Sequence, residues 1–268
     1  MKNCFYLSAS FILLILAACN TAPSTPTGAA PTTTPTAAVA KTPTKASDLT
    51  GIWVNAAYIE DLKHTYSPLN SNAKIGELAV FYFDATTLKG DTLDGGLSFN
   101  GHEGGSCSVI FRTPKTGNAS AGMATLLPIS GVKPEQECGI GIENGQLIVN
   151  AQPQLRYNRI ESAQNVDDVV SKAVIQTLFM GDWTMTDENG KVSKIKIAAD
   201  GKVTGNPALN MMEVLTDFVA DAPPTDEAYF FDGKTKRPLI LAFKHSGEKV
   251  EFLRQNTPKG KPLWVWTR

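Results

Sequence analysis

Two short motifs occur twice in this chain, in the same order, and they constrain its architecture more than any compositional figure. "LTGIWVN" (49–55) and "FMGDWTMT" (179–186) each place an apolar residue two positions before G-x-W. "RYNRI" (156–160) and "WTR" (266–268) each carry an aromatic residue two before an arginine, as Tyr157-x-Arg159 and Trp266-x-Arg268. The segments leading into these motifs also correspond. Each reads as strand, tight turn, strand, loop and final strand, with Asn144-Gly145 as the first turn and His245-Ser246-Gly247 as the second. A self-similar stretch of this length marks a duplicated structural unit. The repeat predicts two tandem units, 48–161 and 178–268.

Both units read as mainly β. Strands are predicted near 51–55, 76–84, 97–101, 106–112, 122–128, 138–143, 146–150 and 155–160 in the first. In the second they fall near 181–187, 191–198, 202–205, 227–232, 238–244, 248–254 and 262–267. Gly and Asp/Asn clusters such as Asp94-Gly95-Gly96 and Asp200-Gly201 punctuate them. In the hairpin at Asp200-Gly201, Ile195 and Ile197 face inward while Lys194 and Lys196 face out. A short helix is expected near 57–66, with Tyr58, Ile59, Leu62 and Tyr66 on one face and Pro68 as its stop. A second is expected behind Asn206-Pro207, with Ala208, Met212, Leu215 and Val219 as its stripe. Residues 162–177 have helical spacing (Val166, Val169, Val170, Ala173, Val174) and predict a connecting helix, with Asp167-Asp168 opening it.

G-x-W on a first strand with an arginine on the last resembles the lipocalin and fatty-acid-binding (calycin-like) superfamily of up-and-down β-barrels. That resemblance implies two tandem antiparallel β-barrel-like units with short helices. It also implies that a tryptophan lies across one end of each barrel under the arginine of the closing strand. Trp53 would pair with Arg159, and Trp183 with Arg268. A closed sheet leaves no free edge, and a guanidinium on an indole face adds cation–π attraction. The helix after Gly51-Ile52-Trp53 is similar to the lid helices of fatty-acid-binding proteins. Tyr58, Leu62, Phe81 and Phe83 are the candidates to face a ligand.

The N-terminus addresses location. Lys2 precedes an apolar core, Leu7 to Ala18, too short for a spanning helix but right for a signal peptide. It ends in Leu16-Ala17-Ala18-Cys19, which resembles the bacterial lipobox. The resemblance implies a signal peptide over 1–18, cleavage before Cys19, and a fatty-acyl (palmitate-type) anchor on that thiol. Asn20, rather than Asp, favours the outer membrane on the same resemblance, at its periplasmic face or at the cell surface. Residues 19–47 are Thr, Pro and Ala with almost no large apolar side chain, a composition that cannot offset ordering entropy and so reads as a tether.

With Cys4 in the signal and Cys19 lipidated, Cys107 and Cys138 remain. An even pair in an oxidising compartment, both in the inward phase of their strands, predicts a disulfide. A metal site has no support, because His64, His102 and His245 show no ligand spacing. His102-Glu103 among glycines reads as a solvated turn. No nucleophile elbow, phosphate loop, zinc-protease motif or dinucleotide fingerprint appears, so no catalytic residue and no cofactor is predicted. The net charge of −1 gives no basic excess for nucleic acid. The expectation is a lipid-anchored envelope lipoprotein, non-enzymatic, that holds an apolar, lipid-like ligand or a partner envelope protein. The alternative is an envelope enzyme whose active site matches no familiar motif.

Overall fold

The computed structural model describes residues 43–99, 103–112, 122–129, 136–160, 168–218, 222–233, 237–255 and 260–268. All of them belong to one compact unit, Ala40–Arg268. The signal segment, the lipobox at Cys19, most of the tether, His102 and residues 161–167 of the connecting segment lie outside the described residues.

The protein is mainly β, built as two eight-stranded antiparallel barrel-like sheets with a few short helices. The first sheet contains β1 (Gly51–Asn55), β2 (Leu78–Lys89), β3 (Thr92–Phe99), β4 (Glu103–Ile110), β5 (Ala124–Leu126), β6 (Cys138–Glu143), β7 (Gln146–Val149) and β8 (Leu155–Ile160). Each strand pairs with the next, and β8 returns to β1, so the barrel is closed. The second contains β9 (Gly181–Asp187), β10 (Val192–Ile197), β11 (Val203–Thr204), β12 (Met211–Val214), β13 (Asp226–Phe231), β14 (Leu239–His245), β15 (Lys249–Arg254) and β16 (Trp264–Thr267). Here β16 returns to β9. The remaining gap, between β11 and β12, is bridged at Lys202 and Met211, with Val203 N–H on Asn210 O at 2.8 Å and Met212 N–H on Gly201 O at 2.9 Å.

Side-chain alternation explains which way each strand faces. In β9 Trp183 and Met185 are buried while Asp182 is exposed, the period of two that a strand requires. The first barrel encloses Trp53, Phe81, Phe83, Leu97, Val109 and Tyr157, with Leu49 of α1 (Ala46–Leu49) against them. Thr44 and Ala46 lie inside the segment read as tether. Thr44 bonds Gly122 O at 2.7 Å, and Ala46 packs on this core.

A helical layer joins the two barrels. Asn55 caps α2 (Ala56–Thr65) by accepting from Ala57 N–H at 2.9 Å. Tyr66 ends it in the left-handed conformation, and Ser67 with Pro68 then starts α3 (Pro68–Ser71). Asp168 sits at the cap of α4 (Val169–Val174), which widens into a π-helical turn over Ile175–Phe179. The outward residues of β1, Ile52 and Val54, are buried in one continuous apolar cluster with Tyr58, Leu62, Val170 and Leu178. The same cluster runs on into the second barrel through Phe179, Trp183 and Trp266.

Two expectations fail. The helix behind Asn206-Pro207 is not formed over its described part. Asn206 Oδ1 accepts from Ala208 N–H in a turn, and the chain then extends as β12 against β13. Met212 belongs to both patterns, but its buried companion is Val214, two residues on, and not Leu215 of the expected helical stripe, and pairing with β13 decides for the strand. The Cys107–Cys138 disulfide is also absent, since both cysteines are free thiols. Cys107 lies on β4 and Cys138 on β6, with β5 between them, and Cys138 aligns through Leu126 with Val109 rather than Cys107. Two interstrand spacings put their backbones about 10 Å apart, beyond the reach of a disulfide.

Candidate functional site

The repeated motifs build the same corner twice. Gly51 and Gly181 have φ of +135° and +126°, backbone that only glycine adopts easily. This turn places each tryptophan so that its indole N–H reaches the carbonyl four residues back. Trp53 Nε1 donates to Leu49 O, and Trp183 Nε1 to Phe179 O, both at 2.7 Å. Trp53 and Arg159 are direct partners across the β1–β8 seam, and the Arg159 guanidinium carbon lies 5.8 Å from the indole centroid. A Cβ on Gly51 would come within 2.7 Å of Arg159 Nε, so the glycine also makes room for that side chain. At the second seam Arg268 lies closer, 4.5 Å from the Trp183 centroid. Its Nη2 donates to Met180 O at 3.1 Å and Leu178 O at 3.4 Å.

The four candidate ligand-facing residues are all buried. Phe81 stacks on Phe83 at 5.9 Å and meets Tyr157 edge-on at 5.0 Å inside the first barrel. Tyr58 and Leu62 lie instead in the helical layer, so the structure does not bring these four together. Burial, with Asp226 nearby, pushes the Tyr58 hydroxyl well above its ordinary value. The second barrel is filled by aromatics: Phe252 and Trp266 are 4.5 Å apart, and Phe230 meets Trp264 at 5.1 Å.

Titratable groups inside the fold are committed to structure. His245 accepts from Gly247 N–H at Nδ1 (3.1 Å), which leaves Nε2–H to donate to Leu178 O at 3.0 Å. Its ring stacks on Tyr66 at 5.1 Å and meets Trp183 edge-on at 6.1 Å. Burial holds its pKa below the usual histidine value, helped by the Arg268 charge. Asp226 accepts from Leu69 N–H at 2.8 Å, tying β13 to α3, and burial raises its carboxyl. Burial also pushes the Cys107 and Cys138 thiols up to about 12, so neither is a ready nucleophile. Among the described residues, no three His, Cys, Asp or Glu side chains gather as a metal site.

What sequence reasoning missed lies on the outer face of the second seam. A groove of about 520 Å³ runs over β9, β10, β11 and β16, with Trp183 and Arg268 among its lining residues. Its floor carries Lys194, Lys196, Thr184 and Thr204. The two lysines are legible as outward-facing, but only their cross-strand neighbours turn that row into a site. No known protein family, curated protein or solved structure matches this chain.

Proposed function

We propose that this chain is a lipid-anchored envelope protein, non-enzymatic, whose two calycin-like barrels dock a partner envelope protein on their outer surfaces. One observation carries the choice of a partner protein over an apolar cargo. The inward faces of both barrels are occupied by the chain's own side chains, from Phe81, Phe83 and Tyr157 in the first to Phe230, Phe252 and Trp266 in the second. Carriers of apolar ligands enclose room for them, whereas filled barrels offer only their outsides. The non-enzymatic reading is supported by the neutral thiols and by a His245 whose ring nitrogens both engage backbone. The anchor rests on Leu16-Ala17-Ala18-Cys19 behind its apolar core.

Two measurements test the reading. Cys19→Ser should abolish metabolic acyl labelling and release the protein from membranes; labelling that persists removes the anchor. The full chain with Lys194→Gln/Lys196→Gln, which removes the two groove lysines, should show by native mass spectrometry after extraction in mild detergent only its own mass or that of a protein complex. A stoichiometric, non-covalent lipid-sized adduct on that variant would show that a barrel carries cargo after all.

A further inference from the structure

The duplicated fold allows its two seams to be compared position by position. In the first barrel Ile52 pairs with Tyr82 and Val54 with Val80 on the outward face of β1 and β2. In the second, counted from the tryptophan in the same way, Asp182 pairs with Lys196 and Thr184 with Lys194. The first row is apolar: Ile52, Val54 and Val80 are buried in the cluster with α2 and α4, with Tyr82 packed against it. The second row is polar and open, and it forms the floor of the groove. Among the described residues, the face that one repeat uses to dock its helices carries no helix in the other and is built instead of charges and hydroxyls.

The chemistry of that face is specific. Lys194, Lys196 and Arg268 supply three side-chain cations against one side-chain carboxylate, that of Asp182. Thr204 pairs with Lys196 on one side, and Thr267 with Thr184 on the other, extending the row with two more hydroxyls. Lys194 Nζ is already fixed, donating to Thr184 Oγ1 at 2.6 Å. Cross-strand neighbours of opposite charge commonly pair. Even so, the Lys196 ammonium makes no hydrogen bond or ion pair to Asp182 or to any other described residue. Arg268 is held by the Trp183 ring and by two carbonyls that both use Nη2, which leaves Nε and Nη1 uncommitted. Preset cations with free donors suit an oxyanion. Hydroxyls and one carboxylate beside them suit the hydroxyl groups of a polyol.

We propose that the groove over β9, β10, β11 and β16 binds a phosphorylated saccharide, free or as the headgroup of a glycolipid. Lys194, Lys196 and Arg268 take the phosphate oxygens, while Asp182 and the threonines take the sugar hydroxyls. This goes beyond the accessory reading above and does not depend on it, because it needs only the groove.

The test is calorimetric titration of the detergent-solubilised full chain with glucose 1-phosphate, glucose and inorganic phosphate. A phosphorylated glycolipid in the same detergent, and its dephosphorylated form, make the second arm. The expected result is saturable binding of one phosphorylated ligand per chain, on the order of tenfold tighter than glucose or inorganic phosphate. The Lys194→Gln/Lys196→Gln variant should lose at least about tenfold while melting like the parent. Asp182→Asn should weaken the sugar phosphate but strengthen inorganic phosphate. Binding of the glycolipid alone assigns the headgroup as ligand; binding of the sugar phosphate assigns the free form. Saturation by neither, inorganic phosphate bound as tightly as the sugar phosphate, or full affinity in the double-lysine variant overturns the proposal.

Discussion

Replacing Arg268 by alanine isolates the contribution of the second seam. The guanidinium carbon is 4.5 Å from the Trp183 centroid, on a ring that is 1% exposed, so a partly desolvated cation–π contact of about 1–2 kcal/mol is lost. The two Nη2 bonds add little. Met180 is exposed, so its carbonyl regains water, and the Leu178 carbonyl keeps its bond from His245 at 3.0 Å. The net cost is about 2 kcal/mol. For a fold of this size that lowers the melting temperature by roughly 4–8 °C. Arg159→Ala should cost less, about 0.5–1 kcal/mol, because its guanidinium carbon is 5.8 Å from the Trp53 ring. Differential scanning calorimetry of the parent and both variants in one buffer gives the comparison. If Arg268→Ala melts within a degree of the parent, or if Arg159→Ala is the more damaging, the seam arginines do not act through their tryptophans and the argument fails.

Other expectations follow from single residues. Iodoacetamide should modify Cys107 and Cys138 only after denaturation, as peptide mapping would reveal; rapid modification of the native protein contradicts their burial. His245 has a depressed folded pKa, so its neutral form stabilises the fold above the unfolded value near 6.5 and that stability is lost as pH falls below it. Melting temperatures from pH 8 to 5 should therefore drop more steeply in the parent than in His245→Gln, and parallel curves would refute the linkage. Gly205→Ala would press a Cβ into the Lys194 carbonyl at φ +89°, and should destabilise by at least about 2 kcal/mol in urea titration; a neutral effect would mean that β10 and the β11 turn are not so closely packed.

Much of the architecture is readable in local pattern. Alternation and turn residues locate the strands, and G-x-W with aromatic-x-Arg points to the seams because a glycine turn and an indole bond are made within five residues. Misreadings occur where non-local pairing decides. Ala208, Met212 and Leu215 are spaced for a helix, Met212 and Val214 for a strand, and only β13, more than ten residues on, selects the strand. Cys107 and Cys138 share an inward phase, but phase says nothing about how many strands intervene. The groove was hidden for a similar reason. Ile52 against Asp182, and Val54 against Thr184, are visible once the repeats are aligned on their tryptophans. That one of these faces is covered and the other open depends on where α2 and α4 pack.

The seams also govern how such a chain reaches its native state. Trp53 meets Arg159, and Thr184 meets Thr267, across sequence separations of roughly 100 and 80 residues. No local contact rewards either closure until every intervening hairpin is in place, so loop entropy is met late and both barrels should fold in the slow, milliseconds-to-seconds range of β topologies. A chain emerging N-terminus first presents β1 and then β9 as unpaired edges while their partners have yet to appear. Those two strands are where intermolecular pairing, and with it aggregation during biogenesis, should begin.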